Sequence, residues 1–317
     1  MSPSPLVSII IATYNRSRVL AHAIESVRRS TLEDYELIVV GDHCTDDTGE
    51  IVGAFADERI RYVNLPRNVG EQSGPHNEGV RLARGRYLAF LNHDDMFFPD
   101  HLATAVAFRE RTGADLVWVP LLVALPSSEA DLAAGRWQFR LSGVPIGGEY
   151  DPRVFVFASA WLLTRELAAS VGPWRPARET FVSSSQDWLF RAWRSGARLQ
   201  FLPRATVLAV PGGARAGSYL AATSPEHEHF AREMRNDPRF RDRALEVAAI
   251  AGEREANLHR FGCRWFEGAR GLLFRPVGAA AIALGVHPQT PYFAVRYGRK
   301  GNLVSAIRRR TGLGRLS

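Results

Sequence analysis

Apolar runs punctuate the first hundred residues at intervals of roughly 25–30 positions: Leu6 to Ile11, Glu36 to Val40, Ile60 to Val63 and Arg86 to Leu91. Each is nearly continuous rather than alternating, the pattern of a strand buried on both faces. Between them lie segments of helical period. Val19, Leu20, Ala23, Ile24 and Val27 share one face behind a possible cap at Ser17. Ile51, Val52 and Phe55 follow a cap at Thr45 or Asp46, and Asn77 to Ala83 forms a third helix. Strands joined through helices imply right-handed crossovers, so the fold class is α/β with a mostly parallel sheet flanked by helices.

Farther on, Pro99-Asp100 opens a helix to about Arg111, Asp115 to Val123 reads as a strand, and residues 124–150 read as a loop or lid. Ala160 to Thr164 is strand-like. A helix over Gln186 to Ser195 is capped by Ser184 or Ser185 and closed by Gly196, before short strands at Leu199 to Leu202 and Thr206 to Val210. From about Ser218 the pattern becomes helical, arginine-rich and broken by prolines. The expected division is therefore residues 1–215 as the α/β unit and 216–317 as a helical C-terminal extension.

Composition narrows the class. Apolar content of 46% and charged content of 23% suit a globular protein, and two distant cysteines, Cys44 and Cys263, suggest no disulfide framework. The longest apolar stretch, Val277 to Val286, is about half the length of a membrane span. With no basic leader before the first strand, a cytoplasmic location is expected. Nine basic residues and no acidic one follow Glu267, exceeding the net charge of +7, so the remainder is slightly acidic. The basic character belongs to the tail, which argues against a nucleic-acid groove in the main body. Such a tail could touch an anionic membrane surface from the cytoplasmic side, each arginine adding on the order of 1 kcal/mol.

Two of the apolar runs end in acids: Leu37-Ile38-Val39-Val40 in Gly41-Asp42, and Leu88-Ala89-Phe90-Leu91 in Asn92-His93-Asp94-Asp95. In open α/β sheets ligands bind beyond the carboxyl ends of strands. After the first strand stands Ala12-Thr13-Tyr14-Asn15-Arg16, so a glycine-rich dinucleotide fingerprint and a P-loop are both absent. In this order, Val7 to Arg16, Glu36 to Asp42 and Ala83 to Asp95 resemble the family 2 glycosyltransferases of GT-A fold. The match is strong over about 6–110 and moderate over about 160–210.

The resemblance implies a metal-dependent, inverting glycosyltransferase, hexosyltransferase-like, that uses a nucleotide-sugar donor. Ala12, Thr13 and Tyr14 would line the base and ribose pocket, and Asp42 would accept from a nucleobase N–H. Gly41 stands where the family commonly has another acid. Asn92-His93-Asp94 occupies the D-x-D position, so Asp94 would hold Mg2+ or Mn2+ with the donor phosphates, His93 beside it. His76, where relatives carry an arginine, would touch phosphate or ribose. Asp187, within Ser185-Gln186-Asp187-Trp188, matches the catalytic base that deprotonates an acceptor hydroxyl. A glycan, lipid-linked or small-molecule acceptor and a place in cell-surface polysaccharide or glycoconjugate synthesis are implied. A nucleotidyltransferase shares the architecture but usually has a basic, glycine-rich first loop. Asn92, Gln186 and Gly41 keep a non-catalytic sugar-nucleotide-binding protein in view.

Overall fold

A computed structural model describes residues 4–125, 134, 136–210, 217–221, 223–260, 276–314 and 316. The core strands are β1 Val7–Thr13, β2 Tyr35–Gly41, β3 Ile60–Asn64, β4 Tyr87–Asn92, β6 Leu116–Trp118, β9 Trp161–Thr164 and β10 Leu199–Phe201. They form a seven-stranded sheet in the order β10-β6-β9-β4-β1-β2-β3. The pairs β1–β2, β1–β4, β2–β3 and β6–β10 are parallel, while β9 lies antiparallel to both β4 and β6. β1 and β2 are buried nearly throughout because helices cover both faces, which is why their sequences are continuous apolar runs.

Four shorter strands, β5 Asp95–Phe97, β7 Leu121–Ala124, β8 Phe139–Ser142 and β11 Val207–Ala209, make a second sheet in the order β5-β11-β7-β8. Helices α1 Ser17–Arg28, α2 Thr48–Gly53, α3 Ser73–Leu82 and α4 His101–Thr112 follow β1, β2, β3 and β5. α3 approaches β1 unusually closely: a Cβ on Gly79 would stand 2.3 Å from Ile10 Cγ2. Only glycine allows that approach. α5 Arg165–Val171 and α6 Ser184–Arg194 complete the α/β part. Trp161, Trp174 and Trp188 stack in its core beside Phe90.

Several local expectations shift. The run Asp115 to Val123 is two strands, β6 and β7, in different sheets. They part at Val119-Pro120, where proline supplies no ladder N–H. Ser17 lies inside α1, whose cap position is Arg16 with no side-chain cap bond. α3 starts at Ser73, not Asn77, and α6 is capped by Ser183, whose hydroxyl accepts from the Gln186 amide. The boundary expected near residue 215 lies outside the described residues.

The C-terminal part packs on this body. α7 Pro225–Asn236 lies against α1, and α8 Phe240–Arg260 against β8, burying Phe230, Phe240 and Ala244 with Met96, Leu122 and Leu208. Residues 276–283 are helical, followed by helices Thr290–Tyr297 and Asn302–Thr311. Among the described residues no helix is long and apolar enough to cross a membrane.

Candidate active site

Sheet register sets the site. Ala12 pairs with Asn92 and Thr13 with Gly41, so β1, β2 and β4 stop level with one another. The residues after them enter one crevice, where a cavity of about 300 Å³ is lined by Ala12, Thr13, Tyr14, Asp42, Asn92, His93 and Asp94. Asn15 (φ 45°) and His43 (φ 61°) are left-handed non-glycine residues just beyond the β1 and β2 ends. Asn15 locks the two loops together, accepting from the Thr45 amide at 2.7 Å and donating to Thr45 Oγ1.

Asp42 is almost wholly buried. Its carboxylate accepts from the amides of Val69 and Gly70, both at 2.7 Å, and its carbonyl from Asn68 Nδ2. Burial raises its pKa, those two amide bonds opposing the shift. Each oxygen keeps acceptor capacity for a further donor. Gly41 has a steric reason: a Cβ there would stand 2.6 Å from Asn64 Oδ1 and 2.7 Å from the Tyr62 hydroxyl. Side chains of β3 already fill the space a neighbouring acid would need.

The Asn92-His93-Asp94-Asp95 turn sorts its polar groups. Asp95 is buried and accepts from Asn92 Nδ2 and Ser159 Oγ. Burial, then the charge of Asp94, pushes its pKa well above the usual carboxylate range. His93 is engaged through Nδ1 with the Ala12 carbonyl and through Nε2 with the Tyr219 hydroxyl, both at 3.3 Å, and burial lowers its pKa. Asp94 alone of the two acids lines the cavity. Among the described residues no cluster of three or more His, Cys, Asp or Glu could hold a metal unaided. One carboxylate fits a hard cation whose other ligands are phosphate oxygens and water.

His76 does not reach the cavity. It is fully buried against Phe90 and Trp174, and burial pushes its pKa down to about 3. A neutral ring packed in the core cannot contact phosphate, so the nucleotide contact expected of it fails on geometry. Its neighbours Gln72 and Pro75 line the cavity instead.

Asp187 lines a second, adjacent cavity of about 530 Å³ with Arg175, Thr180, Arg191, Arg194 and Lys300. The first cavity receives Ser183 and Ser184 from the same helix start. Positions three and four apart share a helix face, so Asp187 stands one turn beyond those serines. Arg191 Nε donates to Asp187 Oδ2 at 2.9 Å and Arg175 lies 3.5 Å from Oδ1. Asp42 and Asp94 thus share a cavity, and Asp187 borders the next one.

Other lining groups went unnoticed in the sequence. Glu71 accepts from the Ser73 amide and from Ser184 Oγ, tying α3 to α6. Tyr219 contacts His93 and receives the Arg16 guanidinium over its ring, 4.9 Å from the centroid. Val304, Ile307, Arg308, Thr311 and Leu313 close the far side. Arg308 donates to the carbonyls of Gly70 and Gly314 and is the only arginine or lysine among the described lining residues. Glu71 follows the Asn68-Val69-Gly70 turn, a weak signal, and nothing separates Arg308 from the other tail arginines.

A mixed α/β sheet with acids at its strand ends defines a GT-A-like fold. The chain covers 96% of itself and 88% of the structure of Staphylococcus aureus TarS residues 1–349 with UDP-GlcNAc, at TM-score 0.55 and 17% identity. The model of the family "Glycosyl transferase family 2" matches residues 8–168. The chain belongs to that family. Curated relatives include the succinoglycan biosynthesis protein ExoO of Rhizobium meliloti, 36% identical over 35% of this chain and 32% of that protein. An Escherichia coli protein, WfaP, is named a UDP-Glc:alpha-D-GlcNAc-diphosphoundecaprenol beta-1,3-glucosyltransferase, and is 35% identical over 33% of this chain and 41% of its own. The poly(ribitol-phosphate) beta-N-acetylglucosaminyltransferase TarP of S. aureus is 31% identical over 35% of each chain. The matched segments span less than half of these relatives.

Proposed function

We propose that the protein transfers a sugar from a nucleotide-sugar, with a UDP-sugar the first to test, onto an acceptor hydroxyl with inversion at the anomeric carbon. The observation that carries this reading is the convergence of Asp42 and Asp94, more than fifty residues apart, in one cavity at the level ends of β1, β2 and β4. The base lies by Ala12, Thr13, Tyr14 and Asp42, and the sugar and diphosphate extend toward His93 and Asp94. Asp94 would hold Mg2+ or Mn2+ with the phosphates, and that ion, when bound, neutralises charge developing on the leaving diphosphate. Arg308 adds the cavity's own cation, and a guanidinium suits phosphate oxygens. Names of relatives support a glycan or lipid-linked acceptor and a role in cell-surface polysaccharide synthesis.

In this reading the acceptor occupies the second cavity, and Asp187 takes its hydroxyl proton across the α6 start. Arg191 and Arg175 already occupy the Asp187 oxygens, so an acceptor has to displace part of that pairing. The test is release of nucleoside diphosphate from UDP-, GDP- and dTDP-sugars, with and without manganese, beside a thermal-shift panel of the same donors. Stabilisation by one donor without turnover on any acceptor supplied would favour a binding protein. Stabilisation by none would remove the reading.

A further inference from the structure

Residues 276–295 contain no charged side chain, yet most of the large ones face solvent. Leu284 is 80% exposed and Val295 87%, with Val277, Val286 and Tyr292 also open. The helix Thr290–Tyr297, sequence TPYFAVRY, buries none of its residues. Such a run normally packs into a core. Here the opposite side of the segment is already fastened to the body. Gly278, Ala281, His287 and Pro288 are buried, the His287 ring packs edge-on against Phe190 of α6, and Arg194 donates to the Ile282 carbonyl. The segment is a mounted apolar surface, too short to span a bilayer.

Its charge surroundings indicate what covers it. Arg296, Arg299 and Lys300 follow directly, all exposed, and no acidic residue occurs anywhere after Glu267. Arg296 also lies over the rings of Tyr292 and Tyr297. The same segment gives Val286, His287, Thr290 and Lys300 to the wall of the second cavity, where Arg175, Arg191 and Arg194 outnumber Glu179 and Asp187. Exposed aliphatic and tyrosine side chains bordered by cations match the boundary of an anionic bilayer, where apolar groups enter the acyl edge and cations meet headgroup phosphates.

We propose that residues 276–300 seat the protein on an anionic phospholipid surface, with Leu284 and Val295 as the inserting side chains and Arg296, Arg299 and Lys300 as the headgroup contacts. The surface stands apart from the chemistry of the first cavity and can be tested without turnover. Full-length protein should sediment with vesicles of phosphatidylcholine plus phosphatidylglycerol, not with phosphatidylcholine alone, and raised salt should release it. The double variant Leu284→Asp with Val295→Asp should bind those vesicles at least about tenfold more weakly, while its thermal melt and its shift with UDP match wild type. Changing Arg296, Arg299 and Lys300 to Gln should weaken binding on the order of a hundredfold. Absence of vesicle binding by wild type, or equal binding by the double variant, overturns the proposal. So does a wild-type dimer that ignores vesicles and separates in the double variant, because the face would then join two copies.

Discussion

The inner wall of the first cavity comes from residues 12–94, and its outer wall from residues 183–184, 219 and 304–313. Parallel register builds the inner wall: once β1, β2 and β4 pair, Tyr14, Asp42 and Asp94 have little choice of position. Long-range hydrogen bonds hold the outer wall, among them Arg308 to Gly70, Tyr219 to His93 and Ser184 to Glu71. Disturbing either wall should loosen nucleotide binding while the fold persists, and the transfer step itself should depend on Asp187 in the neighbouring cavity.

The largest effect is expected on transfer. Asp187→Asn should lower turnover by roughly a thousandfold with nucleotide affinity unchanged, the usual scale for losing a general base. Glu71→Gln is the matched control, because Glu71 is the cavity's remaining carboxylate. Turnover that survives the first change and collapses in the second would move the base to the loop before α3. Arg308→Ala should weaken UDP about tenfold or more but leave uridine, which has no phosphate, unaffected. Equal losses for both ligands would make Arg308 a packing residue of the outer wall.

Acid should act on the stability of the whole fold. Burial pushes His76 and His101 down to about 3, and His227 and His287 to about 4. Unfolded, each would titrate near its usual value of about 6.5. The unfolded chain therefore takes protons first. Stability is complete above about pH 7 and falls as pH drops through 6.5 toward 4, by up to about 1.4 kcal/mol per pH unit for each histidine. Urea unfolding at several pH values in this range checks it, and a flat midpoint would mean these rings take up protons as readily in the native state as in the unfolded one. The smallest effect is Tyr219→Phe, which removes the hydroxyl from His93 and should weaken UDP by only a few-fold, on the scale of one hydrogen bond worth about 1 kcal/mol.

Legibility followed the same division. Continuous apolar runs and the acids after them placed β1, β2, β4, Asp42 and Asp94, because strand burial and strand-end position are local properties of a parallel sheet. β6 and β7 were merged, since a proline inside an apolar run does not say that the chain changes sheets there. His76 was misplaced because the resemblance put it where relatives carry an arginine, whereas Phe90 and Trp174 close over it only in three dimensions. Arg308 and Tyr219 were invisible for a related reason: their role depends on how the C-terminal helices fold back over the sheet edge, and no local pattern records that.

One nucleotide is expected to occupy the cavity between these walls. Calorimetric titration of UDP, GDP and dTDP in the presence of manganese, on wild type, Asp42→Ala and Arg308→Ala, tests it most directly. Wild type should bind at least one of them, and each variant should bind that nucleotide at least about tenfold more weakly. The same affinity in all three proteins, or no binding by wild type, would contradict it.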